Sequence, residues 1–284
     1  DLDLSGGIKF SKNGTEKVGI NVYGNFSTGG VGLTGIDTLS TTGNVTVTSS
    51  AYIKNIYTNG NVTLEGSARA DLISAKGWIY TKSGGTQGDL YADKYINITN
   101  GSLKNANTFS YIDWPSGGGT AQILTAGGYV NFGSSSVNTI RAKGNVNLST
   151  WGTVSDVMSE GKIKCVSTNW GNYTLLKAIS FESCPTKNAT TLPAGTDSIV
   201  ATGALVTVTA PNKPLVNALS YESQANYILD VDSNSKPVVT VKNVDGIPSG
   251  KYYIAKYTSN NIEYIGKLCP GINTSGFCTG TSVG

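Results

Sequence analysis

Short bursts of alternating apolar and polar residues fill the first 165 positions of the chain, and the bursts repeat. The block small-x-Gly-x-apolar-x-apolar occurs as TTGNVTV, TNGNVTL, AKGWIYT, ADKYINI, AGGYVNF, AKGNVNL and SEGKIKC. With the Gly or its replacement as anchor, the series Gly43, Gly60, Gly77, Lys94, Ser110, Gly128, Gly144 and Gly161 recurs about every 17 residues. Gly24 and Gly6 extend it toward the start, and Ser110 is placed by keeping phase across the gap between Lys94 and Gly128.

Two columns give the pattern its structural meaning. Four positions before the anchor stand Leu2, Ile20, Leu39, Ile56, Ile73, Leu90, Ala106, Leu124, Ile140 and Val157. Two positions after it stand Ile8, Phe26, Val45, Val62, Ile79, Ile96, Ile112, Val130, Val146 and Ile163. Every member is apolar. A chain produces such columns when each coil lays short strands on the coil below and stacks its inward side chains. The expected fold is therefore all-β: a β-solenoid over 1–165 of about ten coils, roughly 45–50 Å long at about 4.8 Å per coil. An antiparallel sandwich, with strands every 8–12 residues, does not explain one residue type per column at this period.

After Cys165 the phase is lost, and residues 166–284 read as a small antiparallel β-rich domain. The runs ALVTVT, PVVTVKNV, KYYIAKYT and IEYIGKL cluster β-formers, with breaks at Pro-Asn, Asp-Gly-Ile-Pro and Ser-Asn-Asn. LLKAISF fits either a short helix or a strand.

Composition narrows the chemistry. Of the 284 residues, 36 are Gly and only 14% are charged, which suits turns and short strands, while 38% hydrophobic residues suffice for a core. There is no His, so Ser-His-Asp and Cys-His nucleophiles, His-ligated zinc and His bases are excluded. No cofactor or metal is implied. The net charge of +3 is dilute. Lys76, Arg141, Lys143, Lys162 and Lys164 gather near the later coils, but with so little net charge DNA is an unfavoured partner.

Cys165, Cys184, Cys269 and Cys278 are even in number and lack CxxC spacing, which predicts two disulfides and an oxidising compartment. Sequential pairing is the simplest of three connectivities, and the spacing alone leaves all three open. No stretch has the roughly 18 apolar residues of a membrane span. The chain opens at Asp1 without Met, which fits a trimmed ectodomain at the cell surface.

Outward positions follow from the alternation. One residue after the anchor the column reads Asn25, Asn44, Asn61, Trp78, Tyr95, Tyr111, Tyr129, Asn145 and Lys162. Four consecutive aromatics thus share one face, with Tyr80 and Asp113 in the next outward column. Trp78, Tyr80, Tyr95, Tyr111, Asp113 and Tyr129 form the candidate ligand-binding face, suited to a surface glycan or a protein receptor. Mutual stacking that serves only the sheet, or a C-terminal region packed over the face, is the competing reading. Thr46 and Thr63 begin a threonine array that stops after two coils, too short for ice binding. Asp230, Asp232 and Asn234 have the spacing of a calcium loop opening, yet Ser235 and Val241 replace its Gly and Glu, so a polar turn is expected. A polysaccharide-active enzyme would draw on carboxylates such as Asp71, Asp89 and Asp156, which fall near coil corners without forming a facing pair.

Two resemblances add to this reading. Through GSARADLISAKG and GTQGDLYADK the rod resembles the short-coil solenoids of bactofilin-like, polymer-forming proteins. The phrase VTVKNVDGIPSGKYYIAKY, followed by the closing Cys269–Cys278 loop, is similar to the terminal region of large type IV minor pilins. The resemblance implies a non-catalytic bacterial surface or pilus-associated protein, in contact with other pilus subunits and active in adhesion. A purely structural polymer of stacked solenoids is the further alternative.

Overall fold

The computed structural model describes residues 2–5, 8–11, 18–29, 33–133, 135–149, 152–166, 172–209, 220–223, 227–241, 247–259 and 261–283. The Gly6 anchor and the breaks at Pro211-Asn212 and Asp245-Gly246 lie outside them. The chain forms a parallel β-solenoid of about 9 coils at about 17 residues per coil, followed by an antiparallel sheet.

The two apolar columns are the ladders of the rod. In parallel register Phe26, Val45, Val62, Ile79, Ile96, Ile112, Val130, Val146 and Ile163 stack one above another. Ile20, Leu39, Ile56, Ile73, Leu90, Ala106, Leu124, Ile140 and Val157 form the second ladder. Ser110 is correctly phased, since Ile112 sits between Ile96 and Val130. Most rungs are wholly shielded: Val62, Ile79, Ile96 and Ile112 are 0% exposed. Each such side chain contributes about 1.5–3 kcal/mol of burial.

A third inward column lies seven positions before the anchor, through Ile36, Ile53, Ala70, Gln87, Leu103, Ala121, Val137 and Val154. Gln87 is the polar rung. Its Oε1 accepts the Ala70 N–H at 2.9 Å and its Nε2 donates to the Ala68 carbonyl at 2.8 Å, so its burial leaves neither end unpaired.

The repeated small-x-Gly has a local cause. At the corner between strands the coils approach so closely that a Cβ on Gly60 would lie 2.5 Å from the Gly43 carbonyl group. Two positions earlier a small hydroxyl turns inward and accepts the corner N–H: Thr58 from Gly60 at 2.9 Å and Ser159 from Gly161 at 3.0 Å. Ala75, Ala92, Ala126 and Ala142 occupy the same column without that bond.

The first coil departs from the sequence expectation. Column alignment places Leu2 beneath Ile20 and Ile8 beneath Phe26. In the structure Leu2–Ser5 pairs with Phe26–Gly29, with Leu2 beneath Phe26, and Ile8–Ser11 leaves the rod to pair antiparallel with Ser220–Ser223. The apolar spacing at positions 2 and 8 imitates the repeat, but the strand pairing that would close a tenth coil goes to the other sheet.

At the far end, parallel stacking continues past Cys165. Asn172–Glu182, which contains LLKAISF, lies on Thr153–Cys165 with Leu176 on Val157 and Phe181 on Ile163, and Ala189–Thr191 adds a last short strand. The Cys165–Cys184 disulfide ties this terminal coil.

From Pro193 the chain turns back. Residues 197–208 run as an extended strap along the rod, held by side chains instead of by strand pairing. Lys143 Nζ lies 2.5 Å from Asp197, and Glu160 Oε1 accepts the backbone N–H groups of Ser198 and Ile199. Asp93 accepts the Ala204 N–H at 2.7 Å, Ser74 the Leu205 N–H at 2.8 Å, and Asn59 exchanges two bonds with Val208. Ten residues at about 3.3 Å match six coil steps at about 4.8 Å, so the strap is close to fully extended. ALVTVT, expected as a strand of the C-terminal sheet, therefore belongs to this strap.

The second sheet has the order Ile8–Ser11, Ser220–Ser223, Tyr227–Val231, Pro237–Val241, Gly250–Ser259 and Ile262–Cys269. The Asp230-Val-Asp232 segment makes a hairpin turn in which Asp232 accepts the N–H groups of Asn234 and Lys236. Those bonds, the Lys236 N–H above all, hold its carboxyl below the usual range. Cys269–Cys278 closes the loop after the last strand.

Candidate functional site

The residues singled out in the sequence share one face. Trp78, Tyr95, Tyr111 and Tyr129 each stand one residue past a corner, at the entrance to a strand whose next residue is a buried ladder member: Ile79, Ile96, Ile112 and Val130. Alternation then aims the aromatic outward.

Parallel register fixes what the rings do next. Trp78 and Tyr95 have centroids 6.0 Å apart and planes within 12°. Tyr95 and Tyr111 are 4.9 Å apart at 6°, and Tyr111 and Tyr129 are 4.6 Å apart at 5°. The rings form one continuous stack along the rod. Faces of the inner rings are covered by their neighbours, and what they present to solvent is edges and hydroxyls. Only the ends of the stack keep a face without an aromatic neighbour in the ladder.

On either side the same column is amide. Asn44 accepts the Asn61 N–H at 2.9 Å, Asn61 accepts the Trp78 N–H at 3.0 Å, and Asn145 accepts the Lys162 N–H at 2.9 Å. The column thus changes from hydrogen-bonded rungs to stacked rungs and back, which is how asparagine and aromatic residues share one structural position.

Two residues further along each strand lies the second outward column: Tyr80, Asn97, Asp113, Asn131 and Asn147. Asn147 donates to Asn131 at 2.7 Å and Asn131 to Asp113 at 3.1 Å. The amide ladder therefore ends on a carboxylate in the middle of the aromatic face. Asn97 Oδ1, on the rung below, is buried without a hydrogen-bond partner. Burial pushes the Tyr111 and Tyr129 hydroxyls above the ordinary tyrosine value, with the charge of Asp113 acting in the same direction on both. Both remain neutral at physiological pH and can donate. Tyr80 lies beneath Lys82, whose Nζ is 5.1 Å from the ring and 3.2 Å from Glu65.

Sequence reasoning missed the strap. It follows the column just before the anchor, so strap and ladder flank the same corner of the rod. Phe109, in that column and 58% exposed, lies close against Gly203, and the strap adds outward Val200, Leu205 and Val206. These exposed apolar groups lie on the strap and on the coil corners beside it. ALVTVT carried the apolar signal but could not reveal its partner, because side chains of coils more than 100 residues away hold it.

Other candidate groups are engaged elsewhere. Asp71 accepts from the Tyr52 hydroxyl at 2.8 Å, and burial together with that bond pushes Tyr52 up to about 12. Asp89 binds Asn105 at 2.6 Å, and Asp156 pairs with Arg141. Lys162 and Lys164 both reach Glu182, at 3.0 and 2.6 Å, so the basic cluster is largely neutralised. A concavity of about 380 Å³, lined by both polar and apolar groups including Thr86, Leu103, Thr120, Ala121, Gln122 and Asn138, lies over four coils on another part of the rod.

Among the described residues no group of three or more Cys, Asp or Glu could hold a metal, and no helix is long and apolar enough to cross a membrane. Both disulfides pair sequentially, as the simplest connectivity has it, and they point to an oxidising or extracellular location. No family model, no curated protein and no solved structure matches the chain.

Proposed function

We propose that the protein is a non-catalytic, exported binding rod of the bacterial surface or pilus-associated kind, and that it adheres to a protein receptor through the aromatic edge. The observation that carries this reading is the continuous stack from Trp78 to Tyr129 beside the apolar strap. Tyrosine edges and hydroxyls, fixed in advance by stacking, bury contact area at small entropic cost. Sugar stacking needs open ring faces, and the inner rungs have none, so a protein surface is favoured over a glycan.

The test compares labelled wild type with a Tyr95→Ser, Tyr111→Ser, Tyr129→Ser variant whose β-structure is checked by circular dichroism. Both are applied to target cells after protease or glycosidase treatment. The reading expects binding that protease abolishes and that falls at least about tenfold in the variant. Equal binding of the two chains would remove the ladder from the contact, and loss on glycosidase alone would transfer the site to a glycan.

A further inference from the structure

The channel between the two outward columns has a form that selects a particular small-molecule class. One wall is the stacked edge of Tyr95, Tyr111 and Tyr129, and the other is Tyr80, Asn97 and Asp113. Residues two apart on a strand are roughly 6.7 Å apart, and the wall side chains themselves fill about half of that, so the channel admits about the thickness of one aromatic ring. Its walls repeat with the coils, so it runs straight along the rod for the length of the ladder. A flat, elongated molecule fits such a slot along its long axis, whereas a globular one touches a single rung.

Charge selects further. Asp113 has no cationic partner among the described residues, and its one hydrogen bond there comes from Asn131. Nearby lysines on this face are engaged: Lys82 with Glu65, and Lys162 and Lys164 with Glu182. Lys94 stands at the corner before Tyr95, outside the channel. Outward ring edges carry the positive side of the aromatic quadrupole, so the rings do not attract a cation, and attraction must come from Asp113.

From this juxtaposition we propose that the channel binds elongated planar aromatic cations, aligned with the rod axis and held by Tyr95, Tyr111 and Tyr129 on one side and Asp113 on the other. The inference rests on the same aromatic edge as the adhesion reading and gives it a ligand chemistry. Binding replaces water along the ring edges and places the delocalised positive charge beside the carboxylate. No covalent step is involved.

Thioflavin T is the probe, titrated into the intact chain and followed by its fluorescence and by equilibrium dialysis. Wild type is expected to bind it saturably, with enhanced emission. Asp113→Asn keeps the shape, since Asn already occupies this column at 131 and 147, and is expected to weaken binding about three- to tenfold. Tyr111→Leu is expected to weaken it as well. An elongated planar dianion, Congo red, should bind more weakly than thioflavin T. Absence of saturable binding to wild type, or equal affinity in Asp113→Asn, overturns the proposal. The outcome is separable from the adhesion reading: receptor binding with no dye binding removes only the channel ligand, while dye binding in a chain that adheres to nothing removes only adhesion.

Discussion

Along the rod, each coil repeats the bonds of the coil before it, and neighbours in space lie about 17 residues apart in sequence. In the second sheet, strands from opposite ends of the chain meet: Ile8–Ser11 pairs with Ser220–Ser223. The interiors differ accordingly. The rod has long ladders of buried side chains, mostly Val, Ile and Leu, whereas in the second sheet the described buried cluster is Val239, Val241 and Tyr252, with Val238, Ala255 and Cys269 also buried. A stack of equivalent turns gathers stability from nearest neighbours. The second sheet adds to that smaller described cluster a loop closed by the Cys269–Cys278 disulfide.

The largest expected effect tests the ladder itself. Ile96→Asp places a carboxylate at a position that is 0% exposed, between Ile79 and Ile112. It should cost several kcal/mol and abolish the β signal of the rod in circular dichroism. Survival of a cooperative melt near the wild-type temperature would refute the inward ladder.

Next come the disulfides. Their separations are 19 and 9 residues, so chain entropy predicts a loss of about 3 kcal/mol for either. The contrast lies in the consequence: Cys269→Ser with Cys278→Ser should make the sheet sensitive to limited proteolysis, while Cys165→Ser with Cys184→Ser should loosen only the last coil. Identical digestion patterns for the two double variants would erase the distinction.

Gln87→Leu makes the third column wholly apolar yet strands the Ala70 N–H and Ala68 carbonyl. A loss of about 1–3 kcal/mol in denaturant melts is expected. A more stable variant would mean those groups find other partners.

The smallest effect concerns alkali. Tyr52, Tyr111, Tyr129 and Tyr173 in the rod all titrate above the ordinary tyrosine value of 10.0, with burial the leading cause in each. Folded-state values raised in this way give stability that is present below pH 10 and is lost as pH rises through the folded values, near 12 for Tyr52. Melting temperatures should therefore hold to about pH 10 and fall beyond it. A fall beginning below pH 9 would point to other groups.

The rod was legible in the sequence because one geometric demand recurs at nearly every corner, Lys94 and Ser110 being the positions without the glycine. Coil contact requires Gly60 and its equivalents, the inward corner requires Thr58 or Ala75, and the ladder requires Val62 or Ile79. Legibility failed where that demand changes partners. Leu2 and Ile8 keep apolar spacing but pair elsewhere. Beyond Cys165 the corner glycine disappears, the stacking of Asn172–Glu182 passes through a register shift, and a disulfide replaces the regular turn. The aromatic column was visible in the repeat as a set of positions. The stacking that closes its inner ring faces depends on register at the ångström scale, and the strap beside it depends on contacts between distant segments, neither of which a residue pattern encodes.

The returning strap also determines how the molecule responds to mechanical tension. Because the strap brings the chain back, Ser220–Ser223 lies against Ile8–Ser11, close in sequence to the first coil. A pull between the early strand and the second sheet is borne by that antiparallel pair, in shear or by peeling, before it reaches the stacked coils. The stacked rings from Trp78 to Tyr129 can then keep their spacing while that pair is loaded.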